Sequence, residues 1–194
     1  MKWALLLFLA QLASAQMTVR YWAGMHEKAE LAQWAMEAWA DASAGLLVVE
    51  RVQDVNQADV RFRWIDPERR GLYGQSYAIK RDGKTISEIV VNPNLASLGP
   101  DMAKASQNDP LYAEVILFLT CVHEAGHALG PVHTRDYADI MYSFEYGGDF
   151  VGYFQRYRVR LKTRADIKKN SPLSAQDILQ LKAAARHQSQ SEKR

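Results

Sequence analysis

Cysteine is nearly absent. Cys121 is the only one among 194 residues, so no disulfide can form within the chain and stability has to come from packing. It sits in the apolar run VILFLTCV, where a thiol is expected to be buried and inert. The apolar run near the N-terminus, within MKWALLLFLA, is too short to cross a bilayer, which takes about 20 residues. Net charge is only +2, and no recognisable nucleic-acid-binding module is present, so nucleic acid is not expected as a partner. No internal repeat is visible. The length and the 48% hydrophobic content suit one packed domain rather than two. Histidine is missing from residues 27 to 122.

What the N-terminus does have is the pattern of an export signal. Lys2 precedes the apolar run, and Ala13-Ser14-Ala15 supplies the small-x-small cleavage pattern. Residues 1–15 are therefore expected to be a signal peptide. A single domain over 16–187 and a frayed polar tail over 188–194 follow. No cysteine stands at the cut site, so a lipid anchor is not expected. The mature chain is expected to be soluble and secreted, in a periplasm or outside the cell.

Charge is unevenly distributed. Residues 1–150 carry 13 basic and 19 acidic side chains, whereas residues 151–194 carry 11 and 3. In YFQRYRVRLKTR, Arg156, Arg158, Arg160, Lys162 and Arg164 alternate with other residues, which predicts a strand with one cationic face. Such a face either guards a sheet edge or contacts an anionic surface or acidic substrate.

Periodicity outlines the remaining elements. MTVRYWA, GLLVVERV and ADVRFRW read as strands, and in the last of these one face is expected to be buried. Residues 71–82 and the stretch TISEIVV are expected to add two more, with turns at Asp82-Gly83 and Asn92-Pro93. EKAELAQWAMEAWADA has apolar residues at helical spacing. A second helix is predicted to start at Asp109 as cap and Pro110 in the first turn, and to end at Gly130-Pro131. A third starts near Ser174, where Ser174 and Asp177 have the spacing of a capping box.

The second helix carries HEAGHALGPVH, residues 123–133. His123 and His127 lie four apart and point the same way, so both rings can bind one metal ion. Gly130 can take the left-handed conformation that turns the chain and returns His133 as a third ligand. Three protein ligands leave zinc one open position, the mark of a catalytic rather than a structural site. Glu124 emerges about 100° round the helix from His123 and can serve as general base toward water at that position. His26 and His187 lie outside the motif and are expected at the surface.

HEAGHALGPVH resembles the HExxHxxGxxH signature of metzincin metalloproteases, and HTRDYADIMY resembles their Met-turn. The resemblance implies His123, His127 and His133 as ligands of one catalytic Zn2+, Glu124 as general base and Met141 beneath the metal. Within metzincins the chain most resembles the matrixin catalytic domain, through QADVRFRW, LSAQDILQLKAA and the segment around LLVVERV. That likeness implies an α+β fold with a twisted, mixed five-stranded sheet and three helices. It further implies a cleft against an edge strand within TISEIVV, and Asp177 fastening the last helix beneath the Met-turn.

Departures from the matrixin pattern are equally legible. No segment before the domain resembles a pro-segment with a zinc-blocking cysteine, and the histidines of a second, structural zinc are missing. Calcium remains open, because backbone carbonyls can supply its ligands. Tyr142-Ser143-Phe144-Glu145-Tyr146 stands where matrixins usually have Pro-x-Tyr, and residues 145–170 run longer than in that pattern. The expected function is a secreted, monomeric zinc endopeptidase acting on protein or peptide substrates. The alternative is a catalytically silent secreted zinc-binding or adhesion module on the same scaffold.

Overall fold

The computed structural model describes residues 16–65 and 73–191. The expected signal peptide, residues 71–72 of the expected fourth strand and residues 192–194 of the tail lie outside the described residues. Among the described residues no helix is long and apolar enough to cross a membrane.

Among the described residues five strands form one sheet: β1 (Met17–Trp22), β2 (Leu47–Arg51), β3 (Val60–Trp64), β4 (Gly74–Arg81) and β5 (Lys84–Val91), in the order β2-β1-β3-β5-β4. β1 pairs in parallel with β2 and β3, and β3 in parallel with β5. A parallel pair needs a crossover, and α1 (Ala29–Ala42) supplies it between β1 and β2. β4 is antiparallel to β5 and joined to it through Asp82 and Gly83. Their φ values of 51° and 76° are both left-handed, as a two-residue hairpin turn requires. The mixed five-stranded α+β architecture matches the expectation.

The edge strand beside the site is not the one expected. TISEIVV lies in β5, held between β3 and β4, so its backbone groups are already paired on both sides. β4 is the outer strand instead.

The core lies between the sheet and two helices. Leu31, Ala35 and Trp39 line the inner stripe of α1 at four-residue intervals, and Val115, Phe118 and Val122 line that of α3 (Pro110–Leu129) at intervals of three and four. The two helices are also bonded directly, Trp39 Nε1 donating to the Val122 carbonyl at 2.9 Å. Phe62 and Ile89 meet them from the sheet. Burying side chains of this size stabilises by about 1.5–3 kcal/mol each. On β3 the expected apolar face is covered, but Arg61 on the opposite face is only 2% exposed, 3.7 Å from Glu88. A central strand has both faces available for cover, so alternation alone understates its burial.

Among the described residues, three shorter α-helices occur besides α1, α3 and α6 (Ala175–Ser191): α2 (Pro100–Asn108), α4 (Phe150–Arg158) and α5 (Asp166–Lys169). α6 continues into the segment expected to fray. α4 corrects the strand expected across the alternating arginines. Asp149 caps it by accepting from Gly152 N–H at 3.0 Å. Phe150 and Phe154, and likewise Tyr153 and Tyr157, are spaced one helical turn apart, and three of these four rings are buried.

Several of the basic side chains between Arg156 and Arg164 bond within the chain. Arg158 pairs with Asp109, and Arg164 with Glu30 and Glu114 while lying over the Trp34 ring. Arg160 donates to the Ser171 carbonyl and lies over Tyr157. These contacts tie the C-terminal third to α1 and α3.

Candidate metal centre

Asp109 starts the helix that carries the site, its side chain accepting from Leu111 N–H and Tyr112 N–H at 3.0 and 3.1 Å. Burial pushes its carboxyl up, but the Arg158 guanidinium and these amides together outweigh that and hold it below the ordinary range. Gly130 ends the helix at φ 113°, where a side chain would be strained. That turn sends the chain back past its own last two turns, as expected.

The three histidines of the motif converge. His133 Nε2 is 3.3 Å from His123 Nε2 and 3.1 Å from His127 Nε2. Within this group each residue offers one ligand atom, and all lie within 4.8 Å of one another. Two nitrogens bound at about 2.0–2.1 Å to a tetrahedral zinc stand about 3.3 Å apart, so the spacing fits such an ion.

The proton positions fit as well. His123 Nδ1 is 2.7 Å from the Ile140 carbonyl, which can only accept, so the ring proton sits on Nδ1 and the Nε2 lone pair faces the centre. The Pro131 carbonyl engages the His127 ring in the same sense. Lone pairs aimed at one point repel unless a cation lies between them.

Electrostatics favours neutral rings, the form that binds metal. Burial holds His123 down to about 3, with His127 and His133 adding to the effect and the Ile140 carbonyl opposing it. His127 is lowered by burial and by His133. Glu124, 7% exposed, is pushed up to about 8 by burial. Beside a divalent ion the carboxylate would be favoured instead.

Met141 is fully buried beneath the helix turn that carries His123 and His127. A Cβ placed on Gly126 would collide with Met141 Sδ and lie 2.8 Å from Trp39 Cζ2. The missing side chain is what lets the Met141 turn pack so closely. That turn is closed by Thr134 N–H donating to the Met141 carbonyl at 2.8 Å, and by Ser143 N–H donating to the Thr134 carbonyl at 3.2 Å. Asp177 fastens it from α6, accepting from Ile140 N–H at 2.9 Å and Met141 N–H at 3.2 Å.

A cleft of about 400 Å³ opens on the three histidines and Glu124. One wall is β4 with the residue before it, from Tyr73 to Ser76; the others are Tyr142 to Glu145 and the rings of Phe150, Tyr153 and Phe154 on α4. Phe144 and Phe150 stack with centroids 4.0 Å apart, and Tyr73 lies 5.7 Å from Phe150 and 5.2 Å from Phe154. This wall was not anticipated from the sequence. The aromatic-rich run from Phe144 to Phe154 was the available signal, but it falls where the matrixin pattern breaks down.

His26 is far from this chemistry in role: it stacks on Trp64 at 5.1 Å and accepts from Lys28 N–H. Cys121 is buried with its thiol pushed well up by burial, the inert state expected.

No family model and no curated protein matches the chain. Among solved structures it is similar to the crystal structure of archaemetzincin from Methanopyrus kandleri, with 14% identity and a TM-score of 0.41 over 96% of this chain and 100% of that one.

Proposed function

We propose that the chain is an exported zinc endopeptidase, with His123, His127 and His133 as metal ligands and Glu124 as general base. The observation that carries this reading is the convergence of three imidazoles beside the buried carboxyl group of Glu124 at the floor of an open cleft. Bound there, zinc would supply Lewis acidity, lowering the pKa of water and polarising a carbonyl. Glu124 accepts the proton from the attacking water and delivers it to the leaving amine.

β4, outermost among the described strands, offers its edge to an extended peptide, which would add as a further strand. Apolar side chains then fall into the aromatic part of the cleft. Export after Ala15, action as a monomer and a matrixin-like substrate mode belong to this proposal. The silent zinc-binding module gains nothing from a buried carboxylate beside the ligands.

The test is cleavage-site profiling on a random peptide library by the chain beginning at Gln16, with and without a chelator, beside Glu124→Ala. Chelator-sensitive cleavage that Glu124→Ala loses supports the proposal. Equal activity of the variant leaves Glu124 without its role, and no cleavage by either protein favours the silent module.

A further inference from the structure

We propose that Tyr153 and Arg156, both on α4, are positioning residues that set how tightly the three histidines hold their metal ion. The proposal rests on the metal centre argued above and adds to it residues well outside the histidine motif.

The link runs through two consecutive peptide groups. The Ile140 carbonyl, acceptor for His123 Nδ1 at 2.7 Å, also accepts from the Tyr153 hydroxyl at 3.2 Å. The same hydroxyl lies 3.0 Å from the Asp139 carbonyl, so its one proton is shared between neighbouring acceptors. Arg156 Nη2 donates to the Asp139 carbonyl at 3.3 Å, and Arg156 Nη1 donates to the Tyr137 carbonyl. The Arg156 guanidinium in turn lies over the Tyr153 ring, 4.1 Å from its centroid. On the other side of these peptides, the Ile140 and Met141 N–H groups are taken by Asp177. Both peptide groups between Asp139 and Met141 are thus held at both ends, the amides by α6 and the carbonyls by α4 and the His123 ring.

The consequence falls on the imidazole. A metal-ligating histidine depends on the acceptor of its other ring nitrogen for tautomer, orientation and basicity. Here that acceptor is a backbone carbonyl in a turn, and what keeps it in place includes one phenol and one guanidinium. Tyr153 is 4% exposed, and burial holds its phenol protonated, so the donor persists across working pH. Without the hydroxyl, the Ile140 carbonyl keeps only the His123 ring and loses its tether to α4.

Tyr157 provides a built-in control. It lies one turn further along α4 and is 3% exposed, but its hydroxyl donates to the Ile167 and Asn170 carbonyls and is not part of the cleft wall. Removing that hydroxyl costs comparable packing and hydrogen bonding without touching Ile140.

The experiment measures zinc affinity of the full chain by competition with a chromophoric chelator. The ligand-field spectrum of the Co2+-loaded protein and the unfolding midpoint of the metal-free protein are recorded alongside. Tyr153→Phe is expected to weaken zinc binding on the order of tenfold and to alter the Co2+ spectrum. Tyr157→Phe is expected to lower the unfolding midpoint similarly while leaving affinity and spectrum as in wild type. Arg156→Lys, which can reach only one of the two carbonyls, should weaken zinc binding in the same direction by less, and decides the matter if Tyr153→Phe does not fold. Unchanged affinity in Tyr153→Phe, or equal losses in Tyr153→Phe and Tyr157→Phe, overturns the inference alone. Failure of the wild type to bind zinc overturns the metal centre itself, and the inference with it.

Discussion

Asp177 and Met141, 36 residues apart, are joined by a buried hydrogen bond, the Met141 N–H donating to Asp177 Oδ1 at 3.2 Å. The carboxylate is fully buried and also accepts from Ile140 N–H and Ser174 N–H. It therefore fixes the turn under the histidines and the start of α6 at once. Asp177→Asn, which keeps the shape but turns an acceptor into a donor, should cost about 3 kcal/mol. Urea unfolding checks this, and a loss well below 1 kcal/mol would show that capping of α6 alone explains the residue.

Gly126 makes a second demand on the same turn. Gly126→Ala should force Met141 and Trp39 apart and destabilise by about 1–3 kcal/mol. A variant as stable as wild type would mean that the Met141 turn is not packed tightly against the ligand helix.

Gly74 lets the outer strand approach the proposed base. A Cβ there would lie 2.7 Å from Thr120 Cγ2, 2.9 Å from Glu124 Cγ and 3.1 Å from Glu124 Oε1. Gly74→Ala should displace Glu124 and lower kcat by about 10²-fold, within the range of general-base catalysis, while zinc content stays unchanged. Steady-state kinetics beside metal analysis separates the two effects, and an unchanged kcat contradicts the prediction.

Two groups give the metal-free protein a stability maximum in pH. His123 is held to about 3 in the fold against an ordinary 6.5, so below 6.5 the unfolded chain gains a proton that the folded chain refuses, and stability falls as pH falls. Glu124 is held at about 8 against 4.5, so the folded chain keeps a proton that the unfolded chain releases, and stability falls as pH rises from 4.5 to 8. Between 4.5 and 6.5 the two slopes oppose each other, and the metal-free protein should be most stable there. Urea midpoints across the range test it. Rising stability of the metal-free protein from about pH 5 to 8 would contradict the burial argument for Glu124.

The parts of the site that were legible in the sequence are those written in local geometry. His123 and His127 share a helix face because four residues make about one turn, and Gly130 marks the turn that returns His133. Asp82-Gly83 and the Asp109 cap were legible for the same reason. Sheet order was not, because no local period says whether the stretch TISEIVV or residues 74–81 will lie outermost. The helix α4 was misread since its arginines alternate while its aromatic rings, which pack against the core, follow the helical interval. Tyr153 was beyond reach: its bond to Ile140 depends on how α4 folds back over the Met141 turn.

If the three imidazoles form a metal centre, the purified chain holds one zinc ion. After zinc supplementation and dialysis, metal analysis should find one zinc per chain in wild type and in Glu124→Ala, and loss of that zinc in His123→Ala, His127→Ala and His133→Ala. A wild type without stoichiometric zinc, or histidine variants that retain it unchanged, would mean that these residues are not its ligands.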